Sequence, residues 1–308
     1  MNKLITILGP TATGKTTLAA HLASKIAGEI ISADSRQIYR GMDIGSGKDI
    51  DDYVVNGKQV PFHLIDIVNP GYRYNVFEFL SDFSASYNDI IEKGKMPILC
   101  GGSGMYLDAV IRGYKLGKAN TNIELREQLS GLTHSELVLK LNTFGPLHNI
   151  SDTSDLERLI RAIEIAAYQA KHTSLLLKIP EFSSIVFGVY FDRQIIRSRI
   201  TQRLEERFNN GMISEVKNLL NRGVEPEQLM YYGLEYKFVT MFVTGEMSYD
   251  AMFEKLNIAI HQFAKRQMTW YRRMEKNGVE INWIDGNLDM ENKIAVIIDK
   301  CGDLNLKP

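Results

Sequence analysis

Cysteine is scarce in this sequence: only Cys100 and Cys301 occur among 308 residues, with no CxxC pair and no metal-ligand spacing. That excludes a disulfide scaffold and a thiolate metal centre, and it is the usage expected of a reduced, cytoplasmic chain. Long apolar runs are missing too. The N-terminus offers a short apolar strand without the core of a secretory leader, and no later run reaches membrane-spanning length, so no membrane partner is expected. Excess charge of either sign is absent: 36 Lys and Arg stand against 37 Asp and Glu, a formal net charge of −1. A polyanionic partner must therefore be held by locally gathered cations. There is no internal repeat or low-complexity segment, and 44% hydrophobic with 24% charged residues describes a folded globular protein. The length suits one α/β domain plus a second, smaller unit.

Against this plain background one stretch stands out. Gly9-Pro10-Thr11-Ala12-Thr13-Gly14-Lys15-Thr16 follows the apolar run Leu4-Ile5-Thr6-Ile7-Leu8 and precedes a helical pattern over 18–26. The spacing is that of a phosphate-binding loop. Glycines at both ends let the backbone turn its N–H groups inward, and the following helix offers its positive N-terminus. Lys15 reaches the terminal phosphates and Thr16 offers an oxygen to Mg²⁺. Such a loop says what is held and leaves open what is done with it.

Further along, Glu29-Ile30-Ile31-Ser32-Ala33 reads as a buried strand that delivers Asp34-Ser35-Arg36-Gln37 at its C-terminal end, the edge where ligands bind in open α/β sheets. Asp34 is either a catalytic or metal-binding carboxylate or a helix N-cap. Residues 41–58, rich in Gly, Asp and Lys, read as a mobile loop. A strand over 62–68 follows, closed by Asn69-Pro70-Gly71; within it Asp66 is a candidate Walker-B-type carboxylate and His63 a packed or capping histidine. Helical spacing over 74–92 leads to a strand at 96–100 and a second glycine turn, Gly101-Gly102-Ser103-Gly104-Met105-Tyr106.

From about residue 117 the βα rhythm stops, and helical segments follow at 122–129, 135–141 and 154–171 before a strand returns at 185–191. The expected organisation is an α/β fold with a P-loop NTPase-like core, a parallel sheet flanked by helices, spanning 1–116 and 181–308. A helical insertion domain occupies 117–180. Two long helices close the chain. One, over 192–220, carries Arg193, Arg197, Arg199, Arg203 and Arg207, the last three as a basic stripe beside an apolar one. The other, over 247–274, ends in Ala264-Lys265-Arg266-Gln267-Met268-Thr269-Trp270-Tyr271-Arg272-Arg273. Basic residues interleaved with aromatics suit a phosphate backbone and unstacked bases. The alternative is a pair of solvated helix faces.

Taken in order, these motifs resemble the tRNA dimethylallyltransferase (tRNA isopentenyltransferase) family over nearly the whole chain. Besides the phosphate loop, the resemblance rests on Asp34-Ser35-Arg36-Gln37-Ile38-Tyr39, Gly41-Met42-Asp43-Ile44-Gly45, His63-Leu64-Ile65-Asp66, the 101–106 turn and Ala264 to Trp270. It implies transfer of a dimethylallyl group from dimethylallyl diphosphate to N6 of the adenosine beside the anticodon, position 37, of tRNA, with Mg²⁺ at Thr16. By the same resemblance Asp34 is the general base and Ser103, where the family usually has Thr, assists the leaving group. Gly9 to Thr16, Thr17 and Arg266 would bind the diphosphate. Asp34, Ser35, Arg36, Gln37, Ser103, Arg126, Glu157, Arg158, Leu159, Ile160, Arg161, Lys265 and Gln267 would face the tRNA anticodon stem-loop, the insertion gripping it from the side of a monomer.

The chain also departs from the family pattern. It reads Ser46-Gly47-Lys48-Asp49 where the family continues with Thr or Ser, Ala, Lys, Pro, and Phe62 where a first histidine is common. Glu235 replaces a glycine, His261 an arginine, and only Asp155 remains of the usual run before Leu156. Three rival readings stay open: prenyl transfer to a free adenine nucleotide, a small-molecule kinase with ATP in the loop, and a non-catalytic RNA-binding relative.

Overall fold

The computed structural model describes residues 2–145, 155–171 and 176–302. Two compact units are present, one built from 1–112 and 180–308, the other from 113–179.

The first unit is organised by strands β1 (Lys3–Leu8) and β2 (Gly28–Ser32), with helix α1 (Lys15–Ile26) between them. A two-stranded ribbon, β3 (Val54–Val55) with β4 (Lys58–Gln59), precedes β5 (Phe62–His63), α2 (Val76–Glu92), β6 (Met96–Gly101) and α3 (Gly104–Ile111). β1 and β2 are buried almost throughout, as strands covered on both faces of a parallel sheet must be. Ile5, Ile7, Ile30, Ile98 and Cys100 pack with Leu18, Leu22 and Ala23 of α1, while Leu4, Leu8, Ile31 and Leu99 alternate with them at zero exposure. Each such Leu or Ile contributes roughly 1.5–3 kcal/mol by leaving water. α2 starts sharply because Asn75 and Glu78 form a reciprocal capping box.

The second unit holds α4 (Ile123–Ser130), α5 (His134–Asn142) and α6 (Leu156–Lys171), closed over Leu129, Leu137, Leu141, Leu159 and Ile163. The helical pattern begins at Ser154, which lies outside the described residues. The first unit then resumes with β7 (Ser183–Tyr190), α7 (Arg193–Asn209), α8 (Met212–Asn221), α9 (Pro226–Tyr231), α10 (Leu234–Val243), α11 (Tyr249–Lys276), β8 (Ile281–Asp285) and α12 (Met290–Lys300). The six-stranded sheet has order β5-β2-β6-β1-β7-β8 with every pairing parallel. Order reverses beside β1, so the loops after β1, β2 and β6 meet at one edge. Among the described residues no helix is long and apolar enough to cross a membrane.

Three expectations need correction. The helix over 192–220 is two helices, because Gly211 adopts φ 98° and ends the first. The strand over 62–68 stops at His63, since Leu64 and Asp66 take left-handed φ of 61° and 55°. Residues 41–58 are not a free loop: the N–H groups of Asp43, Ile44 and Gly45 donate to the Glu215 carboxylate at 2.8, 2.7 and 3.0 Å. A 3₁₀ turn, Ile50–Tyr53, follows them.

Candidate functional site

The phosphate loop leaves its helix end open. Gly14, at φ 73°, is the N-cap of α1 and supplies no side-chain cap, so the first N–H groups of the helix are left for an anion. Ala12 is also left-handed, at φ 63°, a conformation unusual outside glycine. Long-range bonds hold it there. Arg199 Nε donates to Ala12 O at 2.8 Å, Gln267 Oε1 accepts from Thr11 N at 2.9 Å, and Gln267 Nε2 donates to Gly102 O at 2.9 Å. Tyr271, one turn further on α11, donates to Gly9 O at 3.0 Å. The phosphate loop and the second glycine turn are therefore tied together by one face of α11.

Lys15 rests against Pro10 O at 3.4 Å, and burial holds its ammonium below the ordinary lysine value, partly offset by Cys100 and Asp34 and reinforced by Arg203 and Arg207. Cys100, beneath the loop, has its thiol pushed up to about 12 by burial and is inert packing. Thr17 Oγ1 donates to Asp52 at 3.1 Å; burial raises that carboxyl. Thr16 lies partly exposed in the first turn of α1. Its hydroxyl is a hard oxygen donor of the kind that suits Mg²⁺ rather than a softer metal.

The second and third loops meet at the two residues singled out as catalytic. The Ser103 hydroxyl oxygen accepts from Ser35 N at 3.1 Å and gives its own proton to Ser35 Oγ over a longer 3.3 Å. Asp34 Oδ1 accepts from Arg36 N at 2.9 Å, and its other oxygen has no partner among the described residues. Residues 35–38 form a turn and no helix, so this bond caps a turn and leaves Asp34 a partly exposed acceptor. Asp66 Oδ1 pairs with the buried ammonium of Lys48, which also binds Asp43 and Tyr39 O. His63 pairs with buried Glu29 at 2.8 Å.

The basic stripe on α7 is no solvated face. Arg199 reaches the phosphate loop, while Arg203 and Arg207 act on Lys15. Their spacing put them on one face, but only the tertiary arrangement shows what that face meets. Beside Pro10, a cavity of about 960 Å³ is lined by Tyr190, Ile196, Met268 and Trp283, with Arg197 and Lys265 at its polar edge.

Of the residues expected to face tRNA, Ser35, Arg36, Glu157, Arg158 and Lys265 are partly or fully exposed, and Ile160 is half-buried. Arg266 is exposed as well, 5.9 Å above the Phe263 ring. Gln267 instead spends both amide ends on the two loops, and Gln37 is buried between Ser32 and Gly47 O. Leu159 has zero exposure in the insertion core. Arg126 and Arg161 clamp the buried Glu164: Arg126 Nε and Nη2 donate at 2.9 Å each and Arg161 Nη1 at 3.2 Å. Burial alone would raise the Glu164 carboxyl; bonds from Arg126, Asn122 N and Arg161 outweigh it and hold it low. Leu159, Gln37 and Gln267 are therefore structural supports.

Residues 37–274 match the family model described as IPP transferase, and residues 2–62 a second described as isopentenyl transferase. The chain is 52% identical over 297 residues to tRNA dimethylallyltransferase 2 of Bacteroides fragilis, covering 96% of this chain and 97% of that one. It is 55% identical over 293 residues to tRNA dimethylallyltransferase 1 of Parabacteroides distasonis, covering 95% of each. Among solved structures it resembles the tRNA isopentenylpyrophosphate transferase of Bacillus halodurans, with a TM-score of 0.71 at 30% identity over 98% of this chain and 96% of that one.

Proposed function

The chain belongs to the IPP transferase family, and we propose that it transfers the dimethylallyl group of dimethylallyl diphosphate to N6 of adenosine 37, beside the anticodon of tRNA, releasing diphosphate. The observation that carries this reading is the meeting of three loops: an uncapped phosphate loop, a free carboxylate oxygen at Asp34, and the Ser103 hydroxyl joined to the Asp34 segment through Ser35 N.

An allylic diphosphate ionises when its leaving group is stabilised. Lys15 and the loop amides take up the developing charge on the diphosphate oxygens, and they strengthen as that charge grows. Ser103 turns its proton from the long bond to Ser35 toward the bridging oxygen. The adenine N6 attacks the allylic carbon as the carbon–oxygen bond breaks, and Asp34 accepts the N6 proton as the new bond makes it acidic. Mg²⁺, held by Thr16, supplies charge neutralisation when bound. The target base has to leave its stack to reach this edge, and the exposed Arg158 and Glu157 of α6 meet the anticodon stem-loop. We place the enzyme in the cytoplasm, acting as a monomer.

Digesting tRNA labelled by the enzyme to nucleosides tests the reading. The expected product is adenosine carrying the label on N6, and label on any other atom or base overturns it.

A further inference from the structure

Arg207 lies in the last turn of α7 with its side chain 11% exposed, and its Nη1 donates to Glu235 Oε1 at 2.9 Å. Its Nε is buried without a hydrogen-bond partner. Burial lowers its pKa and Arg203 lowers it further, with Glu235 and Asp49 acting the other way. A guanidinium in this setting is costly unless it does something for its neighbours.

One and two turns before Arg207 on α7 lie Arg203 and Arg199, and Arg199 donates to Ala12 O of the phosphate loop. Arg207 and Arg203 both act on Lys15. Gly47 passes directly over the pair at φ 67°: a Cβ there would overlap Arg207 Nη2 outright and sit 2.8 Å from Arg203 Nη2. Arg207 cannot swing aside freely, because Glu235 holds its far end. Gly47 O in turn accepts from Gln37 Nε2 at 3.1 Å and lies 3.5 Å from Arg203 Nη2, while Arg203 binds Asp49 at 2.7 Å. One glycine thus connects the arginine pair to the segment that carries Asp34. Gly47 and Glu235, far apart in the sequence, meet on this one side chain.

We propose that Gly47, Arg207 and Glu235 form a single positioning unit that sets Arg203 and the positive field of the phosphate loop for the donor's diphosphate. Gly47 makes room for the guanidinium, Glu235 orients it, and the Gly47 and Asp49 oxygens hold Arg203 beside it. The inference rests on the donor reading above for the identity of the ligand, while its geometry does not.

Inorganic pyrophosphate serves as the probe, titrated calorimetrically into the full chain and the variants Gly47→Ala, Arg207→Met and the double variant, with thermal unfolding beside it. Gly47→Ala should weaken pyrophosphate binding about tenfold or more, and Arg207→Met severalfold, each with tRNA affinity unchanged. The double variant should bind more nearly like Arg207→Met alone than the sum of the two single effects, because the worst overlap of the Cβ, with Arg207 Nη2, is then gone and only the closer approach to Arg203 Nη2 remains. Strain from alanine at positive φ is common to both backgrounds and cancels from the cycle. Glu235→Gln should weaken binding in the original chain and have little further effect once Arg207 is Met. Full additivity of Gly47→Ala and Arg207→Met would overturn the proposal, as would an Arg207→Met protein that binds pyrophosphate normally. If pyrophosphate binds with the coupling described but no prenyl group is transferred, the donor reading fails and the positioning unit stands.

Discussion

Ser103 accepts a hydrogen bond at 3.1 Å from the backbone N–H of Ser35, the residue after Asp34. The residues proposed as leaving-group donor and base are therefore held in register by one bond, although they come from loops after different strands.

Removing that hydroxyl should slow the chemistry, and keeping it should not. Ser103→Ala should slow single-turnover transfer by roughly ten- to a thousandfold, since a donor to the developing charge is lost. Ser103→Thr should retain most of the rate. Equal rates for Ser103→Ala and the original chain would show that the hydroxyl takes no part.

Asp34→Asn should lower the chemical rate and leave donor affinity nearly unchanged, because the N6 proton becomes acidic only as the new bond forms. Single-turnover rates at saturating tRNA, with donor titrations beside them, separate this from a metal-holding role. In the latter case Mg²⁺-dependent donor binding would fail and the saturated rate would survive.

Gln267→Ala should cost about 1–3 kcal/mol of stability, since it leaves Thr11 N–H and Gly102 O without their partner. Donor affinity should fall with it while tRNA affinity holds. Denaturant unfolding and donor titration read the two effects, and a selective loss of tRNA binding would return Gln267 to the RNA-facing set.

The pH dependence of donor binding should report Lys15. Burial holds its pKa below the ordinary 10.5, so the free enzyme loses the charged form at lower pH than a free lysine would. Unfolded chains bind the extra proton between the depressed value and 10.5; the burial therefore costs stability at neutral pH, and this cost fades as pH rises through that interval. Bound diphosphate favours the ammonium. Titrations in buffers of different ionisation enthalpy should show proton uptake on binding as pH approaches the depressed value, and no uptake anywhere below 10.5 would contradict the assignment.

Two arginines of the insertion, Arg158 and Arg126, should behave differently. Arg158 is exposed, and Arg158→Ala should weaken tRNA binding and flatten its steep salt dependence by about one charge with the fold intact. Arg126→Ala removes two bonds from buried Glu164 and should destabilise the insertion by about 2 kcal/mol. Salt-dependent binding isotherms and thermal unfolding distinguish them.

How much of this was legible in the sequence follows from range. The phosphate loop, the Asp34 segment and the Ser103 turn are local patterns, each ending a strand, and the parallel sheet brings such ends together. Arg199, Arg203 and Arg207 were visible as a stripe, yet what a stripe faces depends on packing, and here it faces the loop. The 41–58 segment read as mobile because its anchor, Glu215, lies far along the chain in α8. Gln267 and Leu159 sit in stretches that otherwise present cations, and only burial separates the support from the surface. Gly211 stayed hidden inside a continuous helical pattern because one left-handed residue leaves no periodic trace.

The central claim is that the diphosphate edge serves a tRNA adenosine and no free nucleotide. Incubating the enzyme and Mg²⁺ with labelled dimethylallyl diphosphate, bulk tRNA, AMP and ATP in one reaction tests it most directly. The account predicts label in tRNA alone, abolished by Lys15→Ala. Label on AMP or ATP with tRNA left unmodified, or hydrolysis of ATP in place of prenyl transfer, would contradict it.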